Sequence, residues 1–296
     1  MTSLLTVAQE DLHLTRALPA VMILVFLWSL ETLRPFFVGR KNRLRHAARN
    51  LSMAAVNGLV LFFTLGFATT LLAVWTAENE VGLLHVFGVG WTWRLVFGFI
   101  ILDGLAYLWH RANHRCFFLW RFHRLHHNDY EMDCTTSARF HFGELAIAAT
   151  TRLPFIVLFG LEPLPILIHE TVLVAVSQFH HSNIGLGRWD YRIRWLIVTP
   201  AVHQIHHSRR LPETNSNYAS VLSFWDRIFR SSRCPETTTN IELGLDEFLD
   251  PKWHTVAGML ATPFASEPLK IAKEQVLPAV GHVAQPITAD DRASVP

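Results

Sequence analysis

Charged residues, cysteine and net charge are all scarce in this chain, and each scarcity removes a class of protein. Charged residues make up 17% of the 296, below the roughly 25% usual for soluble domains. Half of the residues are hydrophobic, with 10 Trp and 21 Phe, a composition that points to a membrane protein. A formal net charge of +2 gives no support to a basic surface built for nucleic acid. The three cysteines, Cys116, Cys134 and Cys234, are too few and too scattered for a disulfide framework, an iron–sulfur cluster or a zinc knot. A metal held here must therefore take nitrogen and oxygen ligands. The first apolar run begins only near Ala17, so no cleavable signal peptide is expected.

Long apolar runs are present instead. A bilayer-spanning helix needs about 20 mostly apolar residues. Leu18 to Val38 is one candidate, with Glu31 and Arg34 near its end, where an arginine can snorkel. Leu51 to Trp75 runs without a charge, and Trp91 to Trp109 is a third candidate with Asp103 inside it. Leu145 to His180 holds two shorter apolar pieces, divided at Glu162-Pro163 and interrupted by Pro154 and Pro165. It reads as a hairpin of two helices, spanning or re-entrant.

Loop charges orient these spans. The connector with Arg40, Lys41, Arg43, Arg45 and Arg49 should be cytoplasmic, whereas Thr76 to Gly90, with Glu78 and Glu80 and no Lys or Arg, should lie outside. The third helix then returns to the cytoplasm and delivers His110 there, beside Arg111, Arg115, Arg121 and Arg124. From His181 onward the chain is again cytoplasmic, and from Ser266 it turns polar and proline-dotted, as a loosely ordered tail does. The expected fold is an all-α, multi-pass integral membrane protein with about four transmembrane or re-entrant helices and a cytoplasmic, histidine-rich helical cap. Its expected divisions are 1–109 for the N-terminal segment and membrane helices, 110–235 for a catalytic region including the hairpin at about 145–180, and 236–296 for the C-terminal segment.

Histidine is abundant where charge is not. Twelve of the 17 histidines fall between His110 and His207. Ten of these cluster as HRANH (His110, His114), HRLHH (His123, His126, His127), a pair (His180, His181) and HQIHH (His203, His206, His207). Neutral imidazole is the commonest protein metal ligand, and residues three or four apart share a helix face. Each box therefore aims its imidazoles at a common point. The charge rule independently gathers every box on one side of the membrane, which a shared site requires.

The boxes hold more imidazoles than one ion can take, so two ions are implied, each with four or five imidazoles and room for water or oxygen. HRANH lacks the glutamate of an HExxH protease motif. Without cysteine, iron is favoured over structural zinc. Neutral imidazoles leave the charge of two divalent ions uncompensated, and Asp103, Glu144 and Asp226 are the candidate carboxylates to offset it from behind the ligands. Asp103, Tyr107, His110 and His114 line one helical face.

The order D…Y..HR..H, FHRLHH, FHHSN, then HQIHHS…NYAS…WDRIF resembles the fatty acid hydroxylase and sterol desaturase superfamily, over about Asp103 to Phe229. The resemblance implies an integral membrane enzyme with two non-haem iron ions, held by His110, His114, His123, His126, His127, His181, His203, His206 and His207. His180 and His141 are possible additional ligands or supports, and His169, alone on an apolar helix, reads as structural. Where that superfamily often carries another histidine, this chain has Val176 and Ser177; where NYG and F-G-T are common it has Asn217-Tyr218-Ala219 and Phe229-Arg230-Ser231. No HPGG haem motif is present, so electrons are expected from a separate ferredoxin or cytochrome-type protein with its reductase.

The expected activity is O2-dependent hydroxylation or desaturation at a C–H bond of a lipid or sterol, in a bacterial inner membrane or endoplasmic reticulum. Phe117, Phe118, Trp120, Phe140 and Trp195 are candidate substrate-pocket aromatics. Two alternatives stand beside it. A membrane metal-binding or transport protein would place its ligands along a transmembrane path, and a membrane metallohydrolase would need a carboxylate base, for which Glu144 is the candidate.

Overall fold

A computed structural model of the chain describes residues 2–38, 40, 42–64, 66–234 and 241–266. Among these residues regular structure is helical, and extended pairing is limited to isolated bridges such as Pro35–Ile184 and Ile197–Leu222. The expected tail beyond Ser266 and Lys41 of the basic connector lie outside the described residues. The helices are α1 (Thr2–Leu33), α2 (Arg43–Thr64), α3 (Gly66–Glu78), α4 (Leu83–Val86), α5 (Trp91–Arg115), α6 (Phe117–His127), α7 (Phe142–Phe159) and α8 (Pro163–His181). Short helices follow: α9 (Asp190–Ile193), α10 (Pro200–His206), α11 (Leu211–Thr214), α12 (Phe224–Ile228) and α13 (Val256–Ala261).

Two expected spans are redrawn. The first stops at Leu33 rather than Val38, because Pro35 disfavours the helical conformation in the residue before it. The uncharged run from Leu51 to Trp75 is divided between α2 and α3, both packed on α7. Gly66, a poor residue for a helix interior, opens the second of them. Glu31 also departs from expectation. Its carboxylate is buried, pairs with Arg43 at 3.0 Å, and accepts the backbone N–H groups of Cys134 and Asn183.

The hairpin forms as its sequence indicates. Gly160 ends α7 in the left-handed region at φ 71°, and Pro163 opens α8, where a missing N–H costs nothing. Gly160 backs directly onto Gly82: a side chain on Gly82 would strike the Gly160 backbone, and one on Gly160 would strike the Val81 carbonyl and the His85 ring. The 76–90 connector docks on this tip, with Thr76 Oγ1 donating to the Leu161 carbonyl at 3.1 Å and His85 Nε2 3.5 Å from Glu162, which Arg94 of α5 also meets at 2.9 Å. Apolar packing of Ala73, Leu102, Ile156, Leu161 and Ile166 fills the same end. Helices α5 and α8 run in the same direction, with Gly98 against Pro165 and Asp103 beside His169, so their C-terminal ends come together: α5 ends in His114 and Arg115, and α8 ends in His180 and His181.

Helices α5 and α7 are long and apolar enough to cross a membrane, and only 28% and 11% of their apolar windows are buried. On α1, Leu18, Val21, Met22, Val25, Phe26 and Leu33 are all exposed. An apolar collar of this extent is the kind of surface a bilayer covers.

Candidate metal centre

The ligand-bearing helices bring nine imidazoles into two adjacent, buried groups. His110 and His114 from α5, His123 and His127 from α6, and His206 from α10 place one ring nitrogen each within 4.8 Å of one another. His126 from α6, His181 from α8, and His203 and His207 at α10 do the same. Neighbours in sequence serve different groups: His126 and His127 part company, as do His206 and His207. A helix turns about 100° per residue, so adjacent side chains face two centres at once. The groups touch where the His127 and His207 rings stack, with centroids 4.4 Å apart.

Hydrogen bonds fix which nitrogen faces inward. A carbonyl can only accept, so His110 Nδ1 donates to Tyr218 O at 2.8 Å, His206 Nδ1 to Ser216 O at 2.6 Å, and His181 Nδ1 to Ser177 O at 2.7 Å. His123 Nδ1 donates to Glu144 Oε1 at 2.8 Å, an oxygen that also accepts from Asn113. In each neutral ring the inward Nε2 is then a bare lone pair. Burial first, and then the crowding of neighbouring imidazoles, holds His126, His127, His203 and His207 well below the ordinary histidine value. Burial pushes His206 down to about 3. These five rings are neutral at physiological pH.

Lone pairs aimed at one another need a cation between them. His110 Nε2 and His206 Nε2 lie 2.9 Å apart, and His181 Nε2 lies 3.0 Å from both His126 Nε2 and His203 Nε2. Two nitrogens bound at about 2.1 Å to one ion, at right angles, sit about 3.0 Å apart. His123 Nε2 and both ring nitrogens of His127 are buried with no hydrogen-bond partner. The donor set fits a metal site.

The supporting carboxylates differ in reach. Glu144 touches a cluster histidine directly. Asp226 acts one step further out, accepting from Tyr218 N, Ala219 N and Ser231 Oγ, and so fixes the strand of backbone whose carbonyl holds His110. Asp103 touches no cluster imidazole. Its Oδ2 accepts from Leu222 N and Trp225 Nε1, and its Oδ1 lies 3.9 Å from His169. It ties the 222–225 segment to α5 two turns before His110.

His180 lies outside both groups, its ring packed 3.9 Å from that of His203. His141 caps α7: Nδ1 accepts from Gly143 N and Nε2 faces the Leu260 carbonyl, which engages both nitrogens. Among the candidate pocket aromatics, Phe140 stacks on His126 at 4.3 Å and Trp120 lies 5.0 Å from His114. Phe117, Phe118 and Trp195 are instead half or more exposed, because they occupy the outward side of short surface helices and turns.

Sequence reasoning passed over His46. This histidine bridges Asp133, 2.8 Å from its Nδ1, and Asp129, 2.9 Å from its Nε2. Asn50, Thr135, Thr136 and Arg139 complete a buried network that holds the loop following His127. The only local signal is Asp133-x-x-Thr136, whose reciprocal side-chain bonds cap the turn at Cys134–Ala138.

A model of the fatty acid hydroxylase family matches residues 95–231, a span that contains all nine converging histidines. The match supports the resemblance to the fatty acid hydroxylase superfamily over this span. Similar proteins include the ornithine lipid hydroxylase OlsE of Rhizobium tropici, 29% identical over 51% of this chain and 45% of that protein. The alkylglycerol monooxygenase of Homo sapiens is 26% identical over 77% of this chain and 49% of that protein. The cholesterol 25-hydroxylase of Rattus norvegicus is 24% identical over 51% of this chain and 50% of its own length. The chain thus spans about half the length of the curated relatives it matches. No solved structure matches it.

Proposed function

We propose that this chain is a membrane-embedded, O2-dependent lipid hydroxylase whose nine clustered imidazoles hold two iron ions. The observation that carries the reading is the pair of buried groups, five and four histidines each, with inward lone pairs and no thiolate among them. Two such ions supply the electrons and Lewis acidity that activate dioxygen against a C–H bond. The chain's own residues do the rest. Carbonyls of Tyr218, Ser216 and Ser177 and the Glu144 carboxylate hold ligand rings in one tautomer. Burial keeps bulk water from the centre, and the apolar collar on α1, α5 and α7 lets a lipid arrive from the bilayer.

The named activities of the relatives, on ornithine lipid, alkylglycerol and cholesterol, support a lipid substrate and hydroxylation over desaturation. An electron-transfer protein of ferredoxin or cytochrome type would supply reducing equivalents, and the basic connector of α2 would put the centre on the cytoplasmic face. Glu144 is buried behind the ligands with its Oε1 accepting from His123 and Asn113, which argues against a general base in a metallohydrolase. The histidines gather at one end of α5 and α8 rather than along them, which argues against a transport path.

Purified protein should contain two irons per chain and consume oxygen only with an added reductant. Lipids from cells expressing it should gain the mass of one oxygen atom relative to cells without it. One metal per chain, or turnover of a lipid without oxygen, would overturn the proposal.

A further inference from the structure

Residues 187–196, GRWDYRIRWL, lie between His181 and His203 and contribute nothing to either histidine group. Their large apolar side chains point outward: Trp189, Tyr191, Trp195 and Leu196 are 53%, 54%, 59% and 67% exposed. Each aromatic ring carries arginine. Arg188 and Arg192 lie 5.7 and 5.4 Å from the centre of Trp189, Arg194 lies 5.3 Å from Tyr191, and Arg227 of α12 lies 4.9 Å from Trp195. The one carboxylate of the stretch, Asp190, is buried and paired with Arg194 at 3.0 Å. Arg188 and Arg192 form no ion pair among the described residues, and Arg227, which donates to Ser223 Oγ at 3.2 Å and to the Trp195 carbonyl at 2.8 Å, meets only the buried Asp226 carboxylate electrostatically.

Backbone contacts set the position of this surface relative to the apolar collar. Ile184 bridges to Pro35, Phe36 N donates to Asn183 O at 3.0 Å, and Asn183 N donates to Glu31. The stretch therefore leaves the body beside the last turn of α1, where the exposed apolar face of Val25, Phe26 and Leu33 ends. Hydrocarbon gives way to headgroups at that level. Trp and Tyr favour such a boundary, and exposed arginines there attract anionic lipid. Continuity with the apolar face of α1 favours a bilayer over a soluble acidic protein as the occupant.

We propose that residues 187–196, together with Arg227, form a seat for anionic phospholipid headgroups in the leaflet on the side of the histidine centre. This goes beyond the oxygenase reading and does not depend on it. The test uses the purified full chain in neutral detergent, titrated with phosphatidylglycerol or phosphatidylcholine, with retained lipid counted by native mass spectrometry. Phosphatidylglycerol should bind about tenfold or more tightly than phosphatidylcholine, and added salt should erode the difference. R188Q/R192Q/R227Q should abolish the preference, R188K/R192K/R227K should keep most of it, and metal content should be equal in all three proteins.

Equal binding of both lipids by the parent chain, or insensitivity to salt, would overturn the proposal without any variant. So would a glutamine variant that keeps the preference, or a lysine variant that loses it. A glutamine variant that keeps the lipid preference but no longer accepts electrons from an acidic donor protein would reassign the surface to that partner.

Discussion

His110 Nε2 and His206 Nε2 face each other at 2.9 Å while each ring's Nδ1 donates to a backbone carbonyl, Tyr218 O and Ser216 O respectively. Neither inward nitrogen carries a hydrogen, so the contact is repulsive until a cation occupies it. His206→Ala should therefore cut metal retention during dialysis by at least about tenfold and abolish reductant-dependent oxygen uptake. His126→Ala, which strikes the other group, should do the same to oxygen uptake. Metal analysis beside the oxygen electrode checks both, and full metal loading in either variant would refute the assignment.

Glu144 shows how the second layer acts. Its Oε1 accepts from both His123 Nδ1 and Asn113 Nδ2. In Glu144→Ala both donors lose that acceptor and the His123 ring is free to turn, so metal affinity should fall about 10–100-fold. Glu144→Gln keeps an accepting oxygen at that place and should lose less. Competition with a graded series of chelators would rank the three proteins; an alanine variant indistinguishable from the parent would remove Glu144 from the centre.

Much of the site was legible because its information is local. Spacing of three and four residues puts His110 with His114, and His123 with His126 and His127, on shared faces, and Gly160, Glu162 and Pro163 write the hairpin turn into the chain. Contacts across long loops were not legible. His46 meets Asp133 across 87 residues and Asp129 across 83, and nothing in a basic connector marks one histidine as a bridge. Asp103 looked like a partner for imidazoles because it shares their helical face. Two turns separate it from His110, and the 222–225 segment reaches it first. The choice between His180 and His181 also needed three dimensions, since both end the same helix and only the ring direction separates them.

His46 makes stability depend on pH. Burial opposes its charge, but the carboxylates of Asp129 and Asp133 outweigh that and raise its pKa to about 10. A group raised above its unfolded value of about 6.5 contributes its full stabilisation below that pH and loses it as pH rises toward 10. The unfolding midpoint of the parent chain should fall between about pH 7 and pH 10. His46→Gln should be less stable at neutral pH, by about 3–5 kcal/mol because it leaves buried carboxylates uncompensated, and its midpoint should be flatter across that window. Thermal melts in detergent at stepped pH values give the comparison, and parallel curves for the two proteins would show that His46 is not the titrating group.

Arg230 offers a test of the backbone alone. It follows Phe229 in the segment where related chains commonly carry glycine, and it takes φ 55°, in the left-handed region. Asp226, four residues earlier, accepts Ser231 N and Ser232 N across this turn, and the same carboxyl residue fixes Tyr218 and Ala219. The turn is therefore held by the segment that positions His110, although an L side chain pays about 1–2 kcal/mol in that conformation. Arg230→Gly relieves the strain, while the greater freedom of glycine in the unfolded chain offsets part of the gain. A net stabilisation of about 0.5–1 kcal/mol is expected, seen as a higher unfolding midpoint with unchanged metal content. Arg230→Val should move the midpoint the other way, because a β-branched side chain is least tolerant of positive φ. A glycine variant less stable than the parent would mean that the arginine side chain, rather than the turn, is what this position contributes.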